Sequence, residues 1–479
     1  MPDLSQTQPF AFTCEGGLIK SRSTFVMQPG QALELLNFEP DIKGGYRRIS
    51  GFRRQINHIV PQTSASSEKV LMVAFFNNNI LAARGEKIFS SASTELATAI
   101  TSSATMSGSG TITVDSTSGF SSSGTLQINS EIFTYTGKTS TTFTGVTRAT
   151  SSTSAAAHAV DDAVSESWTE RDTGRTSASK YSFERFNFDG NDKIIVTDGT
   201  NDPTVFNTSL AATDVTESSV EGAKFVTAFK SHMFYAGMSS TPQELVFSQP
   251  FDEDAFNTGS GAGSIKVDDT IVGMKAFRND LFIFCENRIF KLSGTSSSDF
   301  AITPVTRNIG CVNGDTIQEF AGDLIFLGPD GLRTVAGTAR IGDVELGTIS
   351  ANVQSIFDDN LIDSSLFESV VIPDKTQYRI FFSKDGTSED STKGVICVMK
   401  GQNFEFAELR GIKPSSTDTF VEEGNVLVLH GGFDGYVYRQ EKGNDFDGTK
   451  VSGRYRSPDL TFGDPGIRKH MQRVILNYE

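Results

Sequence analysis

Cysteine is scarce and scattered in this chain of 479 residues: Cys14, Cys285, Cys311 and Cys397 lie far apart and share no CxxC spacing. A disulfide framework needs dense, paired cysteines and a zinc site needs clustered ligands, so neither is expected. Four unpaired, mostly buried thiols in a protein made in a reducing cytoplasm are expected instead. The histidines His58, His158, His232, His430 and His470 stand singly, which gives no support to a metal centre or a nucleophile–base pair. Tryptophan is limited to Trp168, and sugar platforms commonly stack on exposed Trp or Tyr. No window approaches the roughly 18 apolar residues of a membrane span, and the opening MPDLSQTQPF lacks the basic-then-apolar order of a signal peptide. Positive charge is also short: 42 Lys and Arg face 58 Asp and Glu, for a net charge of −16. A tight grip on nucleic acid needs phosphates neutralised by Lys and Arg, so such a grip is disfavoured. A surface that nucleic acid slides past is not.

What the chain does have is apolar material and a repeat. Hydrophobic residues make up 37%, including 38 phenylalanines, enough for a sizeable core, and the length suits two or three domains. AFRNDLFIFCENRIFKLSG, from Ala276, reads as a strand end, a polar turn, a strand, a second turn and a third strand. The same order recurs in AFKSHMFYAG, FAGDLIFLGPDGLRTV, FNFDGNDKIIVTDGTNDPTVF, VEEGNVLVLHGGFDGYVY, AFFNNNILAARGEKIF and, more loosely, around YRIFFSKDG. Asn, Asp and Gly at the breaks supply the positive φ angles of tight turns. Units starting near residues 183, 225, 277, 320, 380 and 426 recur at about the length of a four-stranded propeller blade. The first, near residue 70, falls into register once the material between is set aside.

That material is distinct. Half of residues 101–150 are Ser or Thr, 25 in number, and only Asp115, Glu131, Lys138 and Arg148 are charged. Residues 96–168 therefore read as a small inserted β domain. The expected fold is all-β: a propeller of six to eight antiparallel blades carrying this insertion. Its divisions are 1–95 (N-terminal segment and first unit), 96–168 (insertion), 169–450 (remaining units) and 451–479 (closing strands or attachment segment). Helical periodicity is confined to about 347–369, through Val353, Ile356, Phe357, Leu361 and Ile362, a short crossing between blades.

No catalytic motif survives inspection, so no enzyme activity, metal or cofactor is expected. TGKTSTT lacks the phosphate-loop glycine, since Ile132 stands in its place, and GSGAGS has no strand-then-helix flanks. GNDFDG has Gly443 and Arg454 where a calcium loop needs Asp and Glu, and reads as a turn. Two basic clusters remain: Arg47, Arg48, Arg53 and Arg54 in YRRISGFRR, and Arg468, Lys469 and Arg473 before the final strand VILNYE. They are candidates for docking an acidic partner or facing DNA. For the first cluster the favoured reading is a set of ion pairs with neighbouring carboxylates. The last strand suits closure of a sheet or addition to a neighbour's edge.

The segment LELLNFEPDIKGGYRRISGFRR resembles the start of tail nozzle proteins of short-tailed bacteriophages, at Asn37, Gly44, Gly45, Arg47, Arg48 and Gly51. The hairpin units are similar to that family's propeller units. Residues 123–164 also resemble a small β module of phage tail and baseplate proteins, whose Gly-Val-Thr-Arg-Gly here ends in Ala149 and whose Ala-x-His is Ala156 to His158. The resemblance implies a virion tail protein assembled in the host cytoplasm as a homo-oligomeric ring, commonly of six. It implies attachment below portal and adaptor proteins, contact with tail fibre or needle proteins, and transient, non-specific contact with genomic DNA. A baseplate, hub or capsid accessory role, or a host-glycan-binding propeller adhesin, is the alternative.

Overall fold

The computed structural model describes residues 10–62, 69–176, 180–188, 190–335, 348–363, 366–384, 391–401, 403–422, 424–462 and 473–475. Among them, seven small, mainly antiparallel sheets follow one another around a ring as the blades of a β-propeller, within the expected six to eight. Blade 1 begins at Met72, and the first strands of blades 2 to 7 begin at Ser182, Phe225, Ile271, Gln318, Leu366 and Pro414. Each blade opens with a hairpin whose turn carries positive φ; in blade 1 it is Asn77 and Asn78, at 46° and 59°. Two successive left-handed residues make the turn whose twist matches that of the flanking strands.

The core lies mainly between neighbouring blades. Phe284 of blade 4 meets Phe326 of blade 5 at 5.4 Å between ring centroids, and Phe75 of blade 1 meets Phe420 of blade 7 at 4.7 Å. Each buried phenylalanine is worth roughly 1.5–3 kcal/mol in area removed from water, so the ring is held chiefly by these seams. The short helix Gln354–Asp363 crosses from blade 5 to blade 6 and buries Phe357, with Val353 just before it.

The insertion forms its own sheet from Ser93 to Glu166, around Phe133 and Phe143. It interrupts blade 1 rather than separating two blades. After it, Thr169–Asp172 returns to pair with Lys87–Ser91 as the fourth strand of blade 1.

Closure of the ring brings together strands from opposite parts of the sequence. Phe52–Arg54 of the N-terminal segment pairs with Val437–Gln440 in blade 7, with Asp445–Phe446 on its other side, and Glu34–Leu36 lies along the edge of blade 6. Arg454–Arg456 then pairs with Glu34–Leu36. A strand contributed from the far end of the chain leaves no local periodicity to read, since its partners lie almost the whole sequence away. Of the final segment VILNYE, Val474 and Ile475 are exposed and outside any strand; residues 476–479, like 463–472, lie outside the described residues.

Candidate interaction sites: the arginine clasp and the axial cavity

The hairpin Phe38–Pro40/Tyr46–Arg48 and the strand Phe52–Arg54 form a clasp over blades 6 and 7. Asn37 begins it. Buried and left-handed at φ 54°, it donates its side-chain amide to Ser452 O (2.8 Å), and its side-chain oxygen accepts from Arg410 N (2.8 Å). Gly44 and Gly45, at φ 105° and 85°, turn the hairpin in a conformation that L side chains rarely adopt. At Gly51 a Cβ would sit 1.8 Å from the Asp445 carbonyl oxygen, so only glycine lets the strand approach.

Three of the four clasp arginines are neutralised within the chain. Arg47 pairs with Glu39 (2.8 Å) and Asp41 (3.6 Å), Arg53 with Asp445 (3.1 Å), and Arg54 with Asp447 (3.0 Å). Arg54 also lies over the Tyr436 ring at 4.0 Å. GNDFDG is the turn expected of it, Asp447 and Gly448 taking positive φ, and two of its aspartates hold Arg53 and Arg54. Arg48 is exposed and, among the described residues, has no ion-pair partner. Arg473 is exposed; Arg468 and Lys469 lie outside the described residues.

Beneath the clasp is a network that no sequence motif announces. Arg379 is fully buried and its guanidinium reaches Glu39 (3.2 Å), Glu441 (2.6 Å) and Gln440 (3.2 Å). Lys375 joins Glu39 at 2.7 Å and Glu441. Burial raises the Glu441 carboxyl, but Arg379 and Lys375 outweigh it and hold the pKa at about 2. The available signal was an arginine inside the apolar run YRIFF. A charge there must be paired or it costs several kcal/mol.

The insertion is braced as well. Asn57 of the N-terminal segment donates to the Ala163 carbonyl (2.7 Å) and the Gln127 carbonyl (3.1 Å), and Trp168 donates to the His58 carbonyl (3.0 Å). Arg439 and Lys442 of blade 7 reach Glu95 at 2.7 and 2.8 Å. Inside it, buried Glu131 accepts from Arg148 (2.7 Å), meets His158 Nε2 at 2.8 Å and accepts from the Ala156 amide (2.9 Å). Against burial, these contacts hold its pKa at about 2. Ala149 is left-handed at φ 56°, a conformation that glycine takes at less cost.

On the propeller axis is a cavity of about 150 Å³, lined from every blade by Val73, Glu184, Val226, Lys275, Gln318, Glu368 and Thr417. Lys180 enters it to contact Glu368 and to pair with Asp315 at 2.8 Å. Burial pushes Lys180 down, but these two carboxylates outweigh it and raise its pKa, which keeps it a cation rather than a nucleophile. Burial likewise lifts Glu368 to about 7, against the attraction of Lys180. His430, buried, is lowered to about 3; His58, His158 and His232 lie in other parts of the fold. Among the described residues no group of His, Cys, Asp and Glu could hold a metal. The thiols of Cys285, Cys311 and Cys397 are buried, and burial raises all three.

No family model matches the chain, and no curated protein matches it. Among solved structures, it is similar to the N-terminal domain of Nup159 at 11% identity and a TM-score of 0.34, over 55% of this chain and 89% of that one. Raptor from Chaetomium thermophilum is similar at 8% identity and a TM-score of 0.36, over 75% of this chain and 29% of that one. Likenesses this slight carry no argument about function.

Proposed function

We propose that the chain is a structural component of a bacteriophage tail, a nozzle subunit that assembles into a ring of about six below the portal and adaptor. The ring continues the DNA channel, helps to retain the genome and then lets it pass, without catalysis. One observation carries the reading: the residues that resemble the nozzle family are those that build the clasp. Asn37, Gly44, Gly45 and Gly51 each occupy a position whose backbone or packing favours that residue, which supports reading the string as a structural motif.

The physical character fits. A propeller stitched through blades 6 and 7 and its insertion is a stiff building block. Its −16 charge disfavours adhesion of phosphate to a channel wall. Because Arg47, Arg53 and Arg54 are already paired, DNA contact at the clasp falls to Arg48, and docking of an acidic partner to Arg48 and Arg473. Mass measurement of the purified protein, alone and with adaptor from the same particle, tests the assembly. A closed ring supports the proposal, and a chain that stays monomeric in both conditions contradicts it.

A further inference from the structure

A second cavity, of about 280 Å³, opens where blade 1, blade 2 and the insertion meet. Its walls are the blade 1 turn at Asn78, the blade 2 turn at Ser209, and Ser118–Phe120 of the insertion, with Arg171 beside them. The three walls are fixed to one another. Asn77 donates its side-chain amide to the Thr208 carbonyl at 2.6 Å, and at Gly119 a Cβ would stand 2.3 Å from the Asn78 carbonyl oxygen. The space therefore belongs to the assembled fold.

Its chemistry is unusual for so acidic a chain. No carboxylate lines it, and its one charged group is Arg171. Arg171 Nε donates to Ser90 Oγ at 2.7 Å, which fixes the side chain; among the described residues its two terminal nitrogens have no partner. Burial lowers its pKa and only a longer-range attraction to Glu166 opposes that, so this cation lacks a paired counter-ion. Around it, the Asn78 amide and the hydroxyls of Ser118 and Ser209 are likewise without partners among the described residues, while Phe120 supplies an apolar side. A guanidinium offers two parallel N–H donors to a planar oxyanion. Amide and hydroxyl groups beside it match a polyhydroxylated carrier. The volume lies near the lower end of small-molecule sites, roughly 300 Å³, which suits one sugar unit.

We propose that this cavity binds a single saccharide unit bearing a carboxylate, with Arg171 holding the carboxylate and Asn78, Ser118 and Ser209 reading the hydroxyls. The site goes beyond the ring-forming role and does not depend on it. Calorimetric titration of the full chain with glucuronate, with glucose and with inorganic phosphate tests it. Saturable binding of glucuronate is expected, with a dissociation constant on the order of 1 mM, the scale of a single small contact set. Glucose and the Arg171→Gln variant should each bind at least about tenfold weaker, as loss of one charge-assisted pair implies. Asn78→Asp keeps a residue that tolerates the left-handed turn and sets a like charge against the ligand, so it should weaken glucuronate similarly without unfolding the protein. Failure of glucuronate to bind, equal binding of glucose, or undiminished binding by Arg171→Gln and Asn78→Asp would each overturn the proposal. Phosphate binding as tight as glucuronate would show an anion site that does not read a sugar, and would overturn it too.

Discussion

Ala149 holds a left-handed backbone at φ 56° while its amide donates to Glu131 at 3.1 Å. A Cβ in that conformation costs on the order of 1 kcal/mol, so Ala149→Gly should stabilise the insertion by about 0.5–1 kcal/mol. A rise in the thermal midpoint checks this. Arg379 presents the reverse case. Arg379→Met leaves Glu441 to Lys375 alone and Glu39 to Lys375 and Arg47, and should cost about 1.5–3 kcal/mol in urea unfolding, the scale of a lost hydrogen bond between charged groups. Titration separates the carboxylates by sign. Glu131 and Glu441 sit at about 2, below the ordinary 4.5, so the stability they lend is present above pH 4.5 and is lost as pH falls towards 2. Glu368 sits at about 7, so its contribution is present below pH 4.5 and is lost as pH rises through 7. Glu441→Gln should flatten the acid limb of the stability–pH curve, and Glu368→Gln the limb between pH 4.5 and 7. Their positions were not legible as sites in sequence: Glu368 and Lys180 meet only because blades 2 and 6 face one another across the axis.

At the scale of elements, the turns were the legible part. Asn77–Asn78 and Asp447–Gly448 announce their hairpins because only a few residue types take positive φ cheaply. The Ser/Thr-rich insertion was visible by composition, and the helix near Phe357 by its period. The clasp was visible only as a family-like string, and its pairing was not. A strand such as Phe52–Arg54 gives no sign that its ladder lies beside Val437–Gln440. That the clasp arginines would form ion pairs was legible, but their partners were not, since Asp445 and Asp447 are adjacent only after closure. Gly51→Ala, which sets a Cβ against the Asp445 backbone, should displace this strand and cost roughly 1–3 kcal/mol, as overpacking does. Faster amide exchange confined first to blade 7 and the clasp would confirm that the strand acts as the ring's closure.

At the scale of the whole molecule, blades 6 and 7, the strand Arg454–Arg456 and the braced insertion meet at or beside the N-terminal strands, so the chain is expected to move as a unit. Rigidity of this kind suits a part that repeats around a channel and withstands passage of a charged polymer. Its acidity suits a wall that does not hold phosphate. The central claim is the place of the chain in a particle, and imaging of intact virions by electron cryomicroscopy tests it most directly. The account predicts density for the seven-bladed propeller in a ring of about six copies around the DNA channel below the adaptor. Density for the same propeller in the capsid, baseplate or fibres, or its absence from the particle, would contradict it.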